Sequence, residues 1–515
     1  MSTAPVADLA RAIGFDLPER YNAARLLWDN LPMRAERPAI ITGEGAVSYG
    51  ALAAEAARIG NALLASGAQP GERVLLFLDD TPVYPAAIMG SMRAGLVPML
   101  INTLSTDDLL RFYLADSAAA AVICAASDRA RFGSDMLEGT GVRAILSAQD
   151  WQGAPNLLAE APTRRCDMAF WMYSSGSTGR PKGVIHRHED AAYTHAAYAR
   201  HVLKLTEEDI CFSVPKIFFA YGFGNSVTFP FAAGAATVLL EGRPEPGRVL
   251  EAIARHRPTV FFGLPTLYTA LTAAPEMARA DLSSLRLCVS AAEILSEDVA
   301  GAWRARSGLE IVEGLGSTEM LHIYLSNRPE AWRRGSAGRV VPGYAVRLVR
   351  PDGGEAGPGE EGVMQVAGLS ALSGYWNRPD KTTETLRDGW VDTGDRFEMD
   401  ADRFYYFKGR ADDLVKISGQ WVWPMEVELA LNEHPAVQEA CVLALPLADG
   451  RMTLRAWVVA RPGQAPGAML EKVLKEHAKA VLLPHKYPRS IVFLDTLPKT
   501  GTGKIDRQAL RRDSA

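Results

Sequence analysis

The chain has little cysteine chemistry to offer. Its five cysteines, Cys124, Cys166, Cys211, Cys288 and Cys441, are odd in number, far apart and without a Cys-x-x-Cys or Cys/His pairing. A disulfide framework and a zinc site are therefore not expected, and a reducing, cytoplasmic setting fits best. No apolar run reaches the length needed to span a bilayer, so no membrane partner is expected. The N-terminus, Met1-Ser-Thr-Ala-Pro-Val-Ala-Asp-Leu-Ala-Arg11, holds an early acid and lacks the apolar segment of a secretory signal. Positive charge is not in excess either. With 55 Lys and Arg against 60 Asp and Glu, the net charge of −5 gives nucleic acid no broad surface to bind. Internal repeats and low-complexity tracts are missing, and so is the phosphate-loop spacing GxxxxGK[ST].

What is present is a long, ordinary globular composition. At 515 residues, 48% hydrophobic and 22% charged, the chain exceeds what one core supports, and two or more domains are expected. Helical spacing over Tyr49-Gly-Ala-Leu-Ala-Ala-Glu-Ala-Ala-Arg-Ile59 precedes a buried-strand pattern at Arg73-Val-Leu-Leu-Phe-Leu78. Further strand-like segments follow at Ala121–Cys124, Met168–Tyr173, Thr237–Leu240 and Thr259–Phe262. Strands alternating with helices predict a doubly wound α/β architecture. From about residue 340 the texture changes to antiparallel strands, Val346-Arg-Leu-Val and Gly362-Val-Met-Gln-Val-Ala367, around a Pro-Asp-Gly-Gly turn. After Arg410 a small α+β unit is expected. A helix opens behind Pro424, strands run over Ala440–Leu445 and Leu454–Val459, and a helix starts at Ala468.

The most telling stretch is Tyr173-Ser-Ser-Gly-Ser-Thr-Gly-Arg-Pro-Lys-Gly-Val184. Glycine lets backbone N–H groups approach a ligand, hydroxyls add donors, and Lys182 adds a point charge. Such a loop behind a strand suits phosphate oxygens. The ordered string resembles the phosphate loop of the acyl-adenylate-forming superfamily, which includes acyl-CoA and aryl-CoA synthetases, luciferases and adenylation domains. Further matches follow in order: Gly316-Ser-Thr-Glu319, Thr393-Gly-Asp395, Gly409-Arg-Ala-Asp-Asp413 and Pro498-Lys-Thr-Gly-Thr-Gly-Lys504. The resemblance covers essentially the whole chain.

The resemblance implies an α/β N-terminal domain over 1–409, with doubly wound sheets and a small β-barrel-like part, and a mobile α+β domain over 410–515. It implies ATP, Mg²⁺ and coenzyme A as cofactors. Ser174, Ser175, Gly176, Ser177, Thr178, Gly179 and Lys182 would cradle phosphates, with Thr318 on the α-phosphate and Glu319 on Mg²⁺. Ala292, Glu293, Glu313, Gly314, Leu315, Gly316 and Ser317 would complete the nucleotide site. Leu315 stands where many relatives carry an aromatic residue that stacks on adenine. Asp395, assisted by Arg410, would bind the ribose hydroxyls. Lys504 would bridge the carboxylate and the α-phosphate, Asp412 would be the hinge, and Ser418, Gly419, Gln420 and Trp421 would line the CoA channel.

Two segments narrow the acid. Lys216-Ile-Phe-Phe-Ala-Tyr-Gly-Phe-Gly-Asn225 and Thr318-Glu-Met-Leu-His-Ile323 are similar to the benzoate-CoA ligase branch. A flat aryl acid wants aromatic and branched walls. Phe218, Phe219, Ala220, Tyr221, Gly222, Gly316, His322 and Ile323 are the candidates, with His322 able to touch a ring substituent. The implied activity is an AMP-forming benzoate-CoA ligase acting through an aryl-AMP. Alternatives are a 4-hydroxybenzoate or other substituted-benzoate ligase, an enzyme loading a carrier-protein thiol, and a non-catalytic sensor. Intact Lys504, Glu319 and Asp395 argue against the sensor. A homodimer stays open, and an acetyltransferase and deacetylase acting on Lys504 are expected partners, since acetylation removes the charge.

Two substitutions should separate the half-reactions. Lys504→Ala should nearly abolish formation of the acyl-adenylate, a loss of roughly 2.7–4 kcal/mol of transition-state stabilisation. It should leave thioester formation from supplied benzoyl-AMP largely intact, and equal loss of both steps in single-turnover assays would sink the role. Asp412→Pro should do the reverse, because proline fixes φ near about −65° and jams a hinge. Unchanged rates for both steps would show that no rotation occurs at this residue.

Overall fold

The computed structural model describes residues 4–174, 180–291, 295–411, 415–417, 420–447, 452–483, 486–499 and 505–512. The chain divides into two compact units. The first comprises Met1–Arg347, Gln365–Asp392 and Arg403–Tyr405; the second comprises Leu348–Met364, Thr393–Asp402 and Tyr406–Ala515.

The first unit carries two large sheets. One is seven-stranded, in the order Gly374–Tyr375, Lys182–Arg187, Met168–Ser174, Val97–Leu100, Arg73–Phe77, Ala121–Cys124 and Ala144–Leu146. Its strands from Met168–Ser174 to Ala144–Leu146 run parallel, and Lys182–Arg187 returns antiparallel. Central Arg73–Phe77 is apolar at successive positions because both of its faces are covered. Val74 and Leu76 join the core under the helices Tyr49–Ala65 and Val83–Arg93, whereas Leu75 and Phe77 join a second core with Met99, Leu110 and Trp171.

The other sheet has nine strands, in the order Arg339–Val340, Ile323–Ser326, Ile311–Gly316, Leu287–Ala291, Val260–Gly263, Ile210–Ser213, Ala236–Val238, Pro38–Thr42 and Gly45–Ser48. Its middle strands are parallel and its outer ones antiparallel. A third core packs behind it, where Trp303 stacks on Phe261 at 6.0 Å and meets the edge of Tyr268 at 4.9 Å. The alternation of helix and strand expected from the sequence is present, and the fold is mixed α/β with a large N-terminal sheet region and a smaller C-terminal unit.

In the second unit, Val437–Pro446 pairs antiparallel with Met452–Ala460, which pairs parallel with Ser490–Phe493. Leu431 of the helix Pro424–Asn432 and Leu474 of the helix Ala468–Val481 lie in the core of this sheet. The expected Pro-Asp-Gly-Gly turn forms, with Gly353 at φ +84° and its N–H donating to the Arg350 carbonyl at 2.9 Å. No helix among the described residues is long and apolar enough to cross a membrane. The five cysteines are unpaired, and only Cys166 is exposed.

A charged stitch closes the N-terminal ends of three adjacent strands of the nine-stranded sheet. Asp209, just before Ile210–Ser213, accepts from Thr259 Oγ1 at 2.7 Å and from Arg286 Nε at 2.8 Å and Nη2 at 2.9 Å. Thr259 and Arg286 each stand one residue before the neighbouring strands. Burial raises the Asp209 carboxyl, but the hydrogen bonds from Arg286 and Thr259 more than reverse this and hold it below the usual range. Asp209→Ala should cost about 1–3 kcal/mol in urea-unfolding stability at neutral pH. A carboxylate with a depressed folded value stabilises fully above its unfolded value and loses that contribution as pH falls through the folded one. The gap between wild type and variant should therefore narrow in acid, and a gap that widened would refute the stitch.

Candidate functional site

Both large sheets deliver loops from the C-terminal ends of their parallel strands, the edge where open α/β sheets bind ligands. Met168–Ser174 ends at Ser174, which faces Lys182 across the antiparallel pair. The expected phosphate loop is narrower than 174–183. Lys182 opens the strand Lys182–Arg187, because the run Lys182-Gly-Val-Ile-His-Arg187 pairs with Met168–Ser174. Ser175, Gly176, Ser177, Thr178 and Gly179 lie outside the described residues, as do Ala292, Glu293, Asp412, Ser418, Gly419 and Lys504.

The strand Ile311–Gly316 runs into a three-residue turn, Thr318–Met320, capped by Ser317 Oγ accepting from the Met320 N–H at 3.2 Å. Leu321 then takes a left-handed φ of +67° and sends the chain back antiparallel, with Gly316 opposite Ile323. Gly316 has no room for a side chain: a Cβ there would lie 2.5 Å from the His322 carbonyl oxygen, whereas one at Gly314 would press on the mobile end of Ile323, 2.7 Å from its Cδ1.

Glu319 is the meeting point of the two sheets. Its Oε1 accepts from the Tyr375 hydroxyl at 2.9 Å and from Ser174 Oγ at 3.3 Å. Lys182 Nζ lies 4.2 Å from the centre of the Tyr375 ring. Burial and then the Glu319 charge push the Tyr375 phenol far up, so it stays a donor. The structure thus gathers Ser174, Lys182, Thr318 and Glu319. The oxygens of Ser174, Thr318 and Glu319, centred on a carboxylate, suit a hard divalent cation, and the Lys182 ammonium suits phosphates. Glu313, on the adjoining strand, has its carboxyl pushed up to about 7 by burial.

Three residues past Glu319, His322 enters a cage of rings. Its centroid is 4.5 Å from Phe229, 5.4 Å from Tyr198 and 5.5 Å from Tyr221. Gly224 abuts the imidazole so closely that a Cβ there would overlap it. Burial pushes the His322 imidazole down to about 3, so the ring is neutral and offers one donor and one acceptor. Neither ring nitrogen has a hydrogen-bond partner of normal geometry, nor do the Tyr221 hydroxyl, the Asn225 amide or the Ser226 hydroxyl. Tyr221 comes from the short helix Ala220–Phe223, and Asn225 and Ser226 from the wide π-turn Gly224–Thr228 behind it. Such widened turns are frequent at functional sites. Ala220 and Gly222 share the helix with Tyr221. Phe218 and Phe219 pack against each other at 4.5 Å on the main core.

In the second unit, Asp395 accepts from Arg410 Nη1 at 3.1 Å, and the same nitrogen donates to the Thr393 carbonyl at 3.1 Å. Gln420 and Trp421 belong to the strand Gln420–Val422, where Trp421 pairs with Lys416.

The family description of AMP-binding enzymes matches residues 27–376, and that of their C-terminal domain matches residues 426–504. The chain belongs to the AMP-binding enzyme family. A benzoate–CoA ligase of Thauera aromatica is 42% identical, covering 99% of this chain and 100% of the relative. A 4-hydroxybenzoate–CoA/benzoate–CoA ligase of Rhodopseudomonas palustris is 40% identical over 93% and 91% of the two chains. The crystal structure of a benzoate CoA ligase from Burkholderia xenovorans LB400 superimposes with a TM-score of 0.88 at 38% identity, covering 95% of this chain and 100% of that one.

Within this AMP-binding enzyme, sequence reasoning missed Tyr375, His186 and Asp190. Tyr375 donates to Glu319, and His186 reaches the Thr318 carbonyl at 2.8 Å. Tyr375 sits in a plain Gly-Tyr-Trp string with no charged neighbour to mark it. The one available signal for the others was the His186-Arg-His-Glu-Asp190 cluster directly after the Lys182 strand.

Proposed function

We propose that the chain is an ATP-dependent aryl-CoA ligase that converts benzoate and CoA to benzoyl-CoA, AMP and pyrophosphate through benzoyl-AMP. The observation that carries this reading is the single reversal Thr318–Ile323. It sets the Glu319 carboxylate, tied to Ser174 and Tyr375, three residues from a ring-lined group around a neutral His322. The anionic end and the ring end of one small aryl acid would then be served by neighbouring residues of one turn.

Ser174, Lys182 and the 175–179 loop would hold the ATP phosphates, Thr318 the α-phosphate, and Asp395 with Arg410 the ribose. Glu319 would hold Mg²⁺, which when bound offsets charge on the phosphate oxygens. Lys504 would act in adenylation, and rotation about Asp412 would bring Ser418, Gly419, Gln420 and Trp421 over the site for CoA. The unpaired cysteines support a cytoplasmic setting, and acetylation of Lys504 would switch off the first half-reaction.

A second reading, a hydroxybenzoate as the preferred acid, is favoured by the unpartnered His322 nitrogens and Tyr221 hydroxyl. A site built to hydrogen-bond a substrate group rejects analogues that lack it. A panel measuring AMP release with benzoate, hydroxybenzoates, aliphatic acids and amino acids decides between them. Preference for an aliphatic or amino acid would overturn both.

The pocket itself can be probed. Ala220→Phe should raise KM for benzoate strongly, since overpacking a close-fitting site costs about 1–3 kcal/mol. Ile323→Ala should improve relative kcat/KM for bulkier ring-substituted acids, by roughly 10–200-fold at most. If a hydroxyl bonds His322, His322→Ala should hurt the hydroxy acid far more than benzoate. Indifference of every acid to all three changes would place the aryl pocket elsewhere.

A further inference from the structure

Behind the Thr318–Met320 turn stands a buried pair to which the proposed reaction gives no role. The His186 and Asp190 side chains are both fully buried. His186 Nδ1 lies 3.0 Å from Asp190 Oδ2, and Nε2 lies 2.8 Å from the Thr318 carbonyl oxygen. A carbonyl can only accept. Asp190 already accepts from the Arg187 backbone N–H at 3.0 Å and Nε at 3.1 Å, with Nη2 of the same guanidinium 3.0 Å from Oδ1. Arg187 donates to both Asp190 oxygens, and the His186 ring must carry a hydrogen on Nε2 to reach the Thr318 carbonyl, with Nδ1 sharing the remaining hydrogen bond with Asp190 Oδ2.

The web continues on the far side of the turn. The Leu372 N–H donates to the Glu319 carbonyl at 2.7 Å, and Ser370 Oγ donates to the Met320 carbonyl at 2.9 Å. Arg187 donates to the Leu369 and Ala371 carbonyls, so the segment that grips Glu319 and Met320 is anchored to the same Asp190. All three carbonyls of the turn are therefore held. Fixing the Thr318 carbonyl fixes the plane of the 318–319 peptide, and with it the direction in which the Glu319 side chain leaves the backbone.

We propose that His186 and Asp190 are positioning residues that set the Thr318–Glu319 peptide through a buried Asp–His–carbonyl hydrogen-bond chain. The proposal rests on the reading in which Glu319 holds Mg²⁺ during adenylation. Groups that orient a metal ligand are worth about 10–100-fold in metal affinity or activity.

The test uses full-length protein in two arms. In the first, ¹⁵N-histidine labelling and NMR of the ligand-free protein identify the ring signal that His186→Gln removes. That ring should carry a hydrogen on Nε2, the nitrogen facing the Thr318 carbonyl, and Asp190→Asn should shift its signals. In the second, both variants should need about 10–100-fold more Mg²⁺ for half-maximal adenylation or lose that factor in kcat, while KM for benzoate changes little. Should the single variants fail to fold, the double variant His186→Gln/Asp190→Asn, whose two amides can re-form the donor chain to Thr318, takes their place in the second arm. A wild-type His186 with no hydrogen on Nε2 overturns the proposal whatever acid the enzyme prefers. Variants that lose only thermal stability, with unchanged Mg²⁺ dependence, overturn the positioning role. Failure of the acid panel alone would move the substrate reading and leave the NMR arm standing.

Discussion

The two large sheets of this chain are joined at a carboxylate. Glu319 leaves the end of the nine-stranded sheet, and both hydroxyls that reach its Oε1 come from the seven-stranded one. Ser174 is the last residue of a central strand, and Tyr375 sits on an edge strand. The junction therefore ties the two sheets together through two hydroxyl donors on one carboxylate oxygen. The tight reversal at Leu321, the glycines at 314 and 316 and the three pinned carbonyls of the turn all serve to keep this carboxylate in one place.

The ring-lined region obeys a different rule. Burying a neutral imidazole, an amide and hydroxyls without partners costs about 1–3 kcal/mol per group, a heavy load for a protein of ordinary stability. The cluster around His322 holds five residues in this state, Tyr198, Tyr221, Asn225, Ser226 and His322. They converge on one place, and the π-turn that brings Asn225 and Ser226 there departs from regular helix to do so. Elsewhere in the cores unpartnered groups are scattered singly, such as the Trp171 and Trp303 indole N–H and the Tyr84 hydroxyl.

How far the sequence reveals all this depends on distance along the chain. Local periodicity is enough for Arg73–Phe77, Met168–Ser174, Tyr49–Ala65 and Ala468–Val481, since each is dictated by its own pattern of apolar residues. Ordered motifs point to Thr318, Glu319, Asp395 and Arg410, because glycine and acid spacing in a tight loop is a local property. Tyr375 and His186 are beyond that reach. One lies 56 residues from Glu319 and the other 132 residues from Thr318, and only the pairing of strands brings them in. Phe218 and Phe219, in the same aromatic run as Tyr221, pack on the main core, Phe219 only partly buried. Hydrophobicity and ring count do not say which way a side chain faces.

The ends of the sheets matter for the chain's behaviour in a crowded solution. The seven-stranded sheet closes on Gly374–Tyr375 and Ala144–Leu146, of two and three residues, and the nine-stranded sheet on Arg339–Val340 and Gly45–Ser48, of two and four. Edges this short offer a neighbouring molecule too few unpaired backbone groups to template intermolecular β-pairing. Long parallel sheets, slow to form and sticky while incomplete, are thereby capped against aggregation. In one case the cap also joins the two sheets. The strand that blunts the seven-stranded edge is the one that carries Tyr375 to Glu319, so a protected edge and the tie between the sheets rest on the same two residues.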